Sequence, residues 1–457
     1  MGTRTGRERQ NDLWIATSAM VETPGNAFYD RLNRILNGHK FDQKVEALCR
    51  KFYKKSPLGR PSLAPGVYFR ALLIGYFEGL DSERGIAWRA ADSLSLRHFL
   101  GYALDEATPD HSTISRTRRL YWVETHKAVF RWVVRLLSEE GLISGQTIAI
   151  DATTLEANAA LKSIVRRADG QPYNDYLKDL AKAAGIENPT REQLARLDRK
   201  RKKKGSNEEW VSPADPDARI TKMKDGRTHL AHKAEHAVDL ASGALLAVTL
   251  QPASDGDTST IHRTLAEAQS AARQINERAV EETVADKGYH SGEVLKQLHA
   301  QGVRSYIPEP DRGRRNWQGK EVEQKRTYDN RRRVRGDRGQ RLQKSRSELM
   351  ERSFAHLYET GGMRRVHLRG RENILKRLLV HAAAFNISLI LRQQLGVGKP
   401  RQLQGAMREL FAFYLRLLMA CMPLTKEPQP AGASQTRRLA GSSAWHRFVR
   451  FSACRSK

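Results

Sequence analysis

From Asn26 to Ile143 apolar residues recur every three or four positions, the period of helices packed on a core. Asn26 offers a side-chain cap to a segment that stacks Phe28, Leu32, Ile35 and Leu36 on one stripe, and Gly38 closes it. A second stripe carries Val45, Leu48 and Phe52; the stretch from Pro57 to Gly66 breaks it, and an apolar run follows from Val67 to Phe77. Ser82–Ala91 and Leu94–Tyr102 read as short helices. A turn at Thr108, Pro109 and Asp110 leads into a helix entered at Ser112 or Thr113, whose continuation through Trp122, Val129, Val133, Leu136 and Leu137 reads as core. This is a helix-turn-helix-like arrangement, and its last helix opens with Ser112, Thr113, Ser115, Arg116 and Arg118, groups able to reach phosphates and base edges.

At Gly145 the period changes to two. Ile148, Ile150 and Ala152 alternate with Thr147, Ala149, Asp151 and Thr153, which predicts a strand with Asp151 near its middle. A charged, Pro- and Gly-punctuated segment from about 161 to 227 reads as an insertion, partly helical and partly flexible. A hairpin is expected from Ala231–Leu240 and Ala244–Leu250, then an amphipathic helix through Ile261, Leu265, Ala268, Ala272 and Ile275. Next come a strand over Thr283–Asp286, a helix over Ser291–Gln301 and a strand over Val303–Ile307. The order β, insertion, β, β, α, β, α, β is that of the ribonuclease-H-like fold. A second basic insertion spans about 311–346, helix returns near Ser345, and further helices are expected at Arg371–Gln394 and Gln402–Met422. The fold class is therefore α/β: an RNase-H-like mixed sheet with insertions, preceded by an all-α region and followed by C-terminal helices. Expected boundaries are a flexible 1–25, a helical DNA-binding domain at 26–143, a catalytic domain at 145–395, a C-terminal helix at 396–424 and a poorly ordered tail at 425–457.

Composition narrows the partners. The 457 residues hold 79 Lys+Arg against 51 Asp+Glu, a net charge of +28, which calls for a polyanion, most simply nucleic acid. Cations concentrate in the run Arg199, Lys200, Arg201, Lys202, Lys203, Lys204 and again around Arg331, Arg332, Arg333 and Arg346, where they would track a phosphate backbone. Cys49, Cys421 and Cys454 are too scattered for a disulfide framework or a thiolate zinc site. The longest uncharged apolar run, Leu378–Leu391, falls short of the ~18 residues of a membrane span, and the polar stretch Thr3–Asp12 lacks the apolar core of a signal peptide. A cytoplasmic, nucleoid-associated protein without a membrane role is expected.

Three acids stand out: Asp151 within the first strand, Asp286 at the end of a later one, and Glu351 on the helix after the last strand. An unpaired carboxylate inside an apolar strand is costly, which favours a ligand role for Asp151. Phosphoryl transfer on DNA with two metal ions needs carboxylates converging from separate elements, and these three suit that geometry.

The segments Ile148-Ala-Ile-Asp151-Ala-Thr-Thr154, Val284-Ala-Asp286-Lys-Gly-Tyr289 and Glu351-Arg-Ser-Phe354, in this order, resemble the DDE transposases of bacterial insertion sequences. Gly59-Arg-Pro-Ser62 and Pro109-Asp-His-Ser-Thr-Ile-Ser115 are similar to their DNA-binding region. The resemblance covers roughly residues 20 to 395. It implies a transposase using two Mg²⁺ or Mn²⁺ ions on Asp151, Asp286 and Glu351, recognising terminal inverted repeats, and transferring a 3′-hydroxyl to target DNA as an oligomer assembled on the ends. A related signature places Tyr, Arg and Lys around the third acid; here Lys344, Ser347 and Tyr358 occupy those positions, leaving Arg346 or Arg352 to supply the basic contacts.

Two decoys carry less. His232-Lys-Ala-Glu235-His236 has the spacing of a zinc peptidase helix but lies in a strand-like segment that turns Glu235 away from both histidines. In Gly396-Val-Gly-Lys399-Pro400 a proline replaces the hydroxyl of a phosphate loop, so a helix cap is the better reading. Rival functions are a catalytically silent, transposase-derived DNA-binding protein and an RNase-H-like nuclease without strand joining.

Overall fold

A computed structural model of the chain describes residues 26–53, 62–201, 205–223, 226–276, 279–311, 313 and 315–403. The 1–25 stretch, most of the Gly59–Ser62 motif, nearly all of the helix expected at Gln402–Met422 and the 425–457 tail lie outside those residues.

The first helices are α1 (Ala27–Gly38), α2 (Phe41–Cys49), α3 (Pro65–Glu78), α4 (Glu83–Asp92), α5 (Leu94–Leu100), α6 (His111–Leu120) and α7 (Val123–Glu139). Side-chain caps start several of them. Asn26 accepts from the Phe28 N–H, Ser82 from Gly85, Ser93 from Leu96, and each such cap contributes about 1 kcal/mol. Pro65 sits in the first turn of α3, where its missing N–H has no cost. The helix after the Pro109 turn begins earlier than expected, at His111, because Asp110 rather than Ser112 or Thr113 supplies the cap. It also ends sooner. Tyr121 and Trp122 are extended, α7 starts afresh at Val123, and Trp122 is 57% exposed rather than core.

The α/β region follows. β1 (Thr147–Glu156) leads into the first insertion, which is more ordered than expected: β2 (Val165–Arg166), α8 (Tyr173–Ala183), α9 (Arg191–Lys200) and β3 (Trp210–Val211) close around their own small core at Trp210 and Ile164. β4 (Arg219–Lys222), read from sequence as insertion, is an edge strand of the main sheet. Then come β5 (Thr228–Asp239), β6 (Leu245–Pro252), α10 (Asp257–Asn276), β7 (Glu282–Ala285), α11 (Gly292–Ala300) and β8 (Arg304–Tyr306). The second basic segment is helical long before Ser345: α12 (Glu321–Arg335) and α13 (Asp337–Phe354) occupy most of it, and α14 (Arg371–Leu395) follows. Cationic side chains are good helix formers when their stems lie on neighbouring structure, which is how a run read as an insertion becomes two helices.

The main sheet is mixed, with order β4-β5-β1-β7-β8 and β6 also paired to β5. β1 is antiparallel to β5 and parallel to β7, and β7 is parallel to β8. Lys233 and Glu235 of β5 point to the face covered by α10, while His236 points to the face covered by α13. α14 is long and apolar enough by composition to cross a membrane, but 94% of its most apolar stretch is buried, as the helix joining the sheet to α3 and α7. Its end at Gly396, with φ 74°, is the helix cap read from sequence.

Candidate active site

Parallel pairing of β1 with β7 runs from Thr147 opposite Glu282 to Ile150 opposite Ala285. The next residue on each strand is Asp151 and Asp286, so the two aspartates emerge side by side where the strands part. Asp286 caps the turn Lys287–Tyr289 by accepting from the Gly288 N–H at 2.7 Å. A Cβ on Gly288 would lie 2.6 Å from Asp257 Oδ2 and 2.9 Å from Asp286 Oδ1, so only glycine lets these two carboxylates approach the turn.

Asp151 Oδ1 accepts from the Ala152 N–H at 2.8 Å and Oδ2 from Arg346 Nη1 at 3.0 Å. Its carboxyl is pushed up to about 6. Burial is the chief cause, the charges of Asp286 and Asp257 add to it, and the Ala152 N–H and Arg346 oppose it.

Behind the aspartates lies a network that sequence reasoning did not find. Glu235, fully buried, accepts from Thr260 Oγ1 and Tyr289 OH on one oxygen, and from Thr264 Oγ1 and Gln251 Nε2 on the other. Tyr289 closes the turn that carries Asp286, so this bond fixes the turn to β5 and α10. Burial raises the Glu235 carboxyl, against the Thr264, Tyr289 and Thr260 hydroxyls and Lys233. Lys233 Nζ donates to Asp257 Oδ1 at 2.6 Å, bringing Asp257 to the same end of the sheet. The available signal was Lys233 and Glu235 alternating with Ala234 inside a strand, where burial demands partners.

The decoy histidines are structural. His232 Nε2 bonds Asp215 Oδ2 at 2.9 Å, both side chains fully buried. His236 contacts Ser353 Oγ at 3.0 Å and Tyr358 OH at 2.5 Å, and burial holds it down to about 3, a neutral ring joining α13 to the sheet.

Glu351 is not brought to the aspartates. The stripe of α13 that faces the sheet runs through Gln343, which donates to the carbonyls of Ala285 and Tyr306, then Arg346, Met350 and Ser353. Glu351 follows Met350 and is turned ~100° around the helix from it. It is exposed, with no hydrogen bond or ion pair to a described residue. Of its neighbours, Glu348 pairs with Arg352 and Glu359 with Arg364. Among the described residues no three His, Cys, Asp or Glu side chains converge to hold one metal ion. The adjacent, mutually repelling carboxylates of Asp151 and Asp286 are nonetheless the hard oxygen donors that suit Mg²⁺ or Mn²⁺.

The cations read as DNA contacts divide sharply. Ser112 and Arg116 are exposed and Thr113 half-buried at the start of α6, with Arg116 bonding back to both hydroxyls. Arg118 is buried against Glu83 and belongs to the helical core, because its position falls on the inner stripe with Ile114 and Thr117. Arg199 and Lys200 are exposed at the end of α9. Arg201 instead stacks over Tyr173, Tyr176 and Trp210 and pairs with Asp198 and Glu209, while Lys202 lies outside the described residues. Arg331 pairs with Glu309 at 2.7 Å, and Arg333 donates to the Ser305 carbonyl and hydroxyl. Only Arg332 of that triplet, 81% exposed beside Asp329, reaches into solvent.

Compared with known families, residues 144–387 match the family described as Transposase DDE domain. That is more than half of the chain. The chain belongs to the DDE transposases. Residues 18–120 match a second family, Transposase domain (DUF772), over the helical region that precedes the sheet. The mixed sheet with its flanking helices is accordingly the RNase-H-like fold of this transposase, and the family places its work on DNA.

Proposed function

We propose that this transposase cuts the ends of its insertion sequence in a metal-dependent step and joins the freed 3′-hydroxyl to target DNA. The observation that carries this reading is the register that sets Asp151 and Asp286 side by side at the ends of parallel strands. Asp151 and Asp286 would hold Mg²⁺ or Mn²⁺, with Glu351 as third ligand, and such ions activate an attacking hydroxyl and stabilise a leaving oxygen. The chain's own contribution is position. The Gly288 N–H and the Tyr289–Glu235 bond fix the Asp286 carboxylate, while Ala152 and Arg346 fix that of Asp151. Arg346, already at Asp151, would meet a phosphate brought to the site, and Arg352, paired with Glu348 on the same helix, would be the second basic contact. Ser112, Thr113, Arg116, Arg199, Lys200 and Arg332 would contact the backbone of terminal inverted repeats and target DNA, and Lys202 extends that set. A synapse of two ends calls for more than one copy of the chain, working on nucleoid DNA in the cytoplasm.

Cleavage and joining of a labelled end fragment in Mn²⁺ tests the reading. Wild-type protein should give both cut and joined products. Asp151→Asn and Asp286→Asn should lose cleavage while keeping end binding, because each removes a charge and retains the shape. Cutting at the wild-type rate by either variant overturns the site. Cut product without joined product indicates a nuclease, and binding without cutting a silent DNA-binding descendant.

A further inference from the structure

We propose that a cavity at the far end of β1 is a second anchoring point for DNA, taking the phosphodiester backbone away from the phosphate being cut; this rests on the transposase reading above. The cavity measures about 410 Å³, and Glu156, Asn158, Ser163, His229, Arg365 and Arg369 are on its wall. It is built by main-chain pairing. Glu156, the last residue of β1, donates its N–H to the Arg364 carbonyl at 3.3 Å and accepts from the Val366 N–H at 3.0 Å, so the segment after α13 runs beside the strand where β7 has ended. That pairing holds Arg365 at the rim.

The wall carries more positive charge than it neutralises. Arg365 is 65% exposed, and its one ion-pair partner among the described residues, Glu156, is 3.8 Å away, too long for a hydrogen bond. Arg369 is exposed and its guanidinium has no polar partner among the described residues. Two guanidiniums against one carboxylate leave a surplus cation with donors open for the bidentate geometry that Arg makes with phosphate. Position selects DNA as the occupant. Glu156 is five residues beyond Asp151 on one strand, or ~17 Å at ~3.3 Å per residue. A duplex held for cutting carries a phosphate per ~3.4 Å of helix axis on each strand and extends well beyond ~17 Å from the cut, so its backbone is the polyanion at hand for this surplus charge.

Fluorescence anisotropy tests this, using full-length protein in EDTA and a labelled duplex that spans an insertion-sequence end and its flank. In wild-type protein log K should fall steeply with log salt. Arg365→Ala with Arg369→Ala should flatten that slope by ~1–2, since each phosphate contact contributes ~0.9. The paired Lys variant should retain the slope. Neutral methylphosphonates placed in turn at each phosphate on either side of the cut should flatten the wild-type slope at one location away from the cut and leave the Ala variant unaffected there. An unchanged slope in the Ala variant, or an equal further loss in that variant at every neutralised position, overturns the proposal. Cleavage by wild-type protein in Mn²⁺ is the separate control. A slope that responds without cleavage keeps the anchoring point and removes the transposition chemistry, and cleavage with an unresponsive slope does the reverse.

Discussion

Arg346 of α13 donates from Nη1 to Oδ2 of Asp151 in β1 at 3.0 Å, across 195 residues of sequence. The pair places a fixed cation against a carboxylate that burial penalises. Arg346→Ala should therefore move the Asp151 carboxyl above its present value of about 6, while Arg346→Lys should hold it near that value. A carbon-13 titration of the side-chain carboxyl reads this directly, and an unmoved titration in the Ala variant would show that the ion pair does not form in solution.

Asp151 also sets a pH dependence of stability. Its carboxyl is raised from 3.8 to about 6, so between those values the folded protein binds more protons than the unfolded chain, and stability falls as pH rises through the window. Two units correspond to ~2.7 kcal/mol, which partial exposure of the side chain reduces to ~1–2 kcal/mol. Asp151→Asn should consequently be the more stable protein by that amount at pH 8, with the advantage vanishing below pH ~4, where the acid is neutral in both states. Thermal unfolding of the two proteins across this range is the measurement; a destabilised Asn variant at pH 8 contradicts the sign.

The strand order, the hairpin and the placement of Asp151 within one strand and Asp286 at the end of another were legible because each rests on local pattern. Asp151 and Asp286 follow apolar runs whose period gives a strand, and the pairing of those strands then does the rest. What sequence could not give was which side of a helix faces inward when both sides are charged. In α12 and α13 arginines alternate with few apolar residues, so hydrophobic periodicity is nearly silent, and Arg331, Arg333 and Arg346 were indistinguishable from Arg332. Lys233, Glu235 and Asp257 were missed for a related reason. Their partners come from four separate elements, and no spacing in one segment announces a network assembled by the fold.

That division of the arginines makes a prediction about the cluster at 331–333. Arg332→Ala should flatten the salt dependence of DNA binding by ~0.9 and leave thermal stability within ~0.5 kcal/mol, since the side chain is exposed. Arg331→Ala and Arg333→Ala should instead cost ~1–3 kcal/mol, because Glu309 keeps only Arg315 of its two arginine partners and the Ser305 carbonyl loses its charged donor. Salt titrations and melting curves on the same three proteins separate the two roles, and a reversed pattern would place the DNA on the other side of α12.

The last prediction concerns which glutamate completes the site, because Glu348, Glu351 and Glu359 all belong to α13 or the turn that continues it. Glu348 and Glu359 are committed to Arg352 and Arg364, whereas Glu351 has no partner among the described residues and an exposed carboxylate. Of the three, Glu351 alone has no ion pair to give up on turning to a metal, which favours it as the ligand. Recruiting it would bring its exposed carboxylate round to the side of α13 that meets β1, where Arg346 holds Asp151. Glu351→Gln should then lower cleavage by ~10³-fold or more, about 4 kcal/mol of transition-state stabilisation, while leaving thermal stability within ~0.5 kcal/mol. Glu348→Gln and Glu359→Gln should stay within tenfold of wild type, a shift of ~1.4 kcal/mol. Cleavage of a labelled end fragment alongside melting curves decides the matter, and an inactive Glu348 or Glu359 variant beside an active Glu351 variant would assign the third ligand elsewhere on the helix.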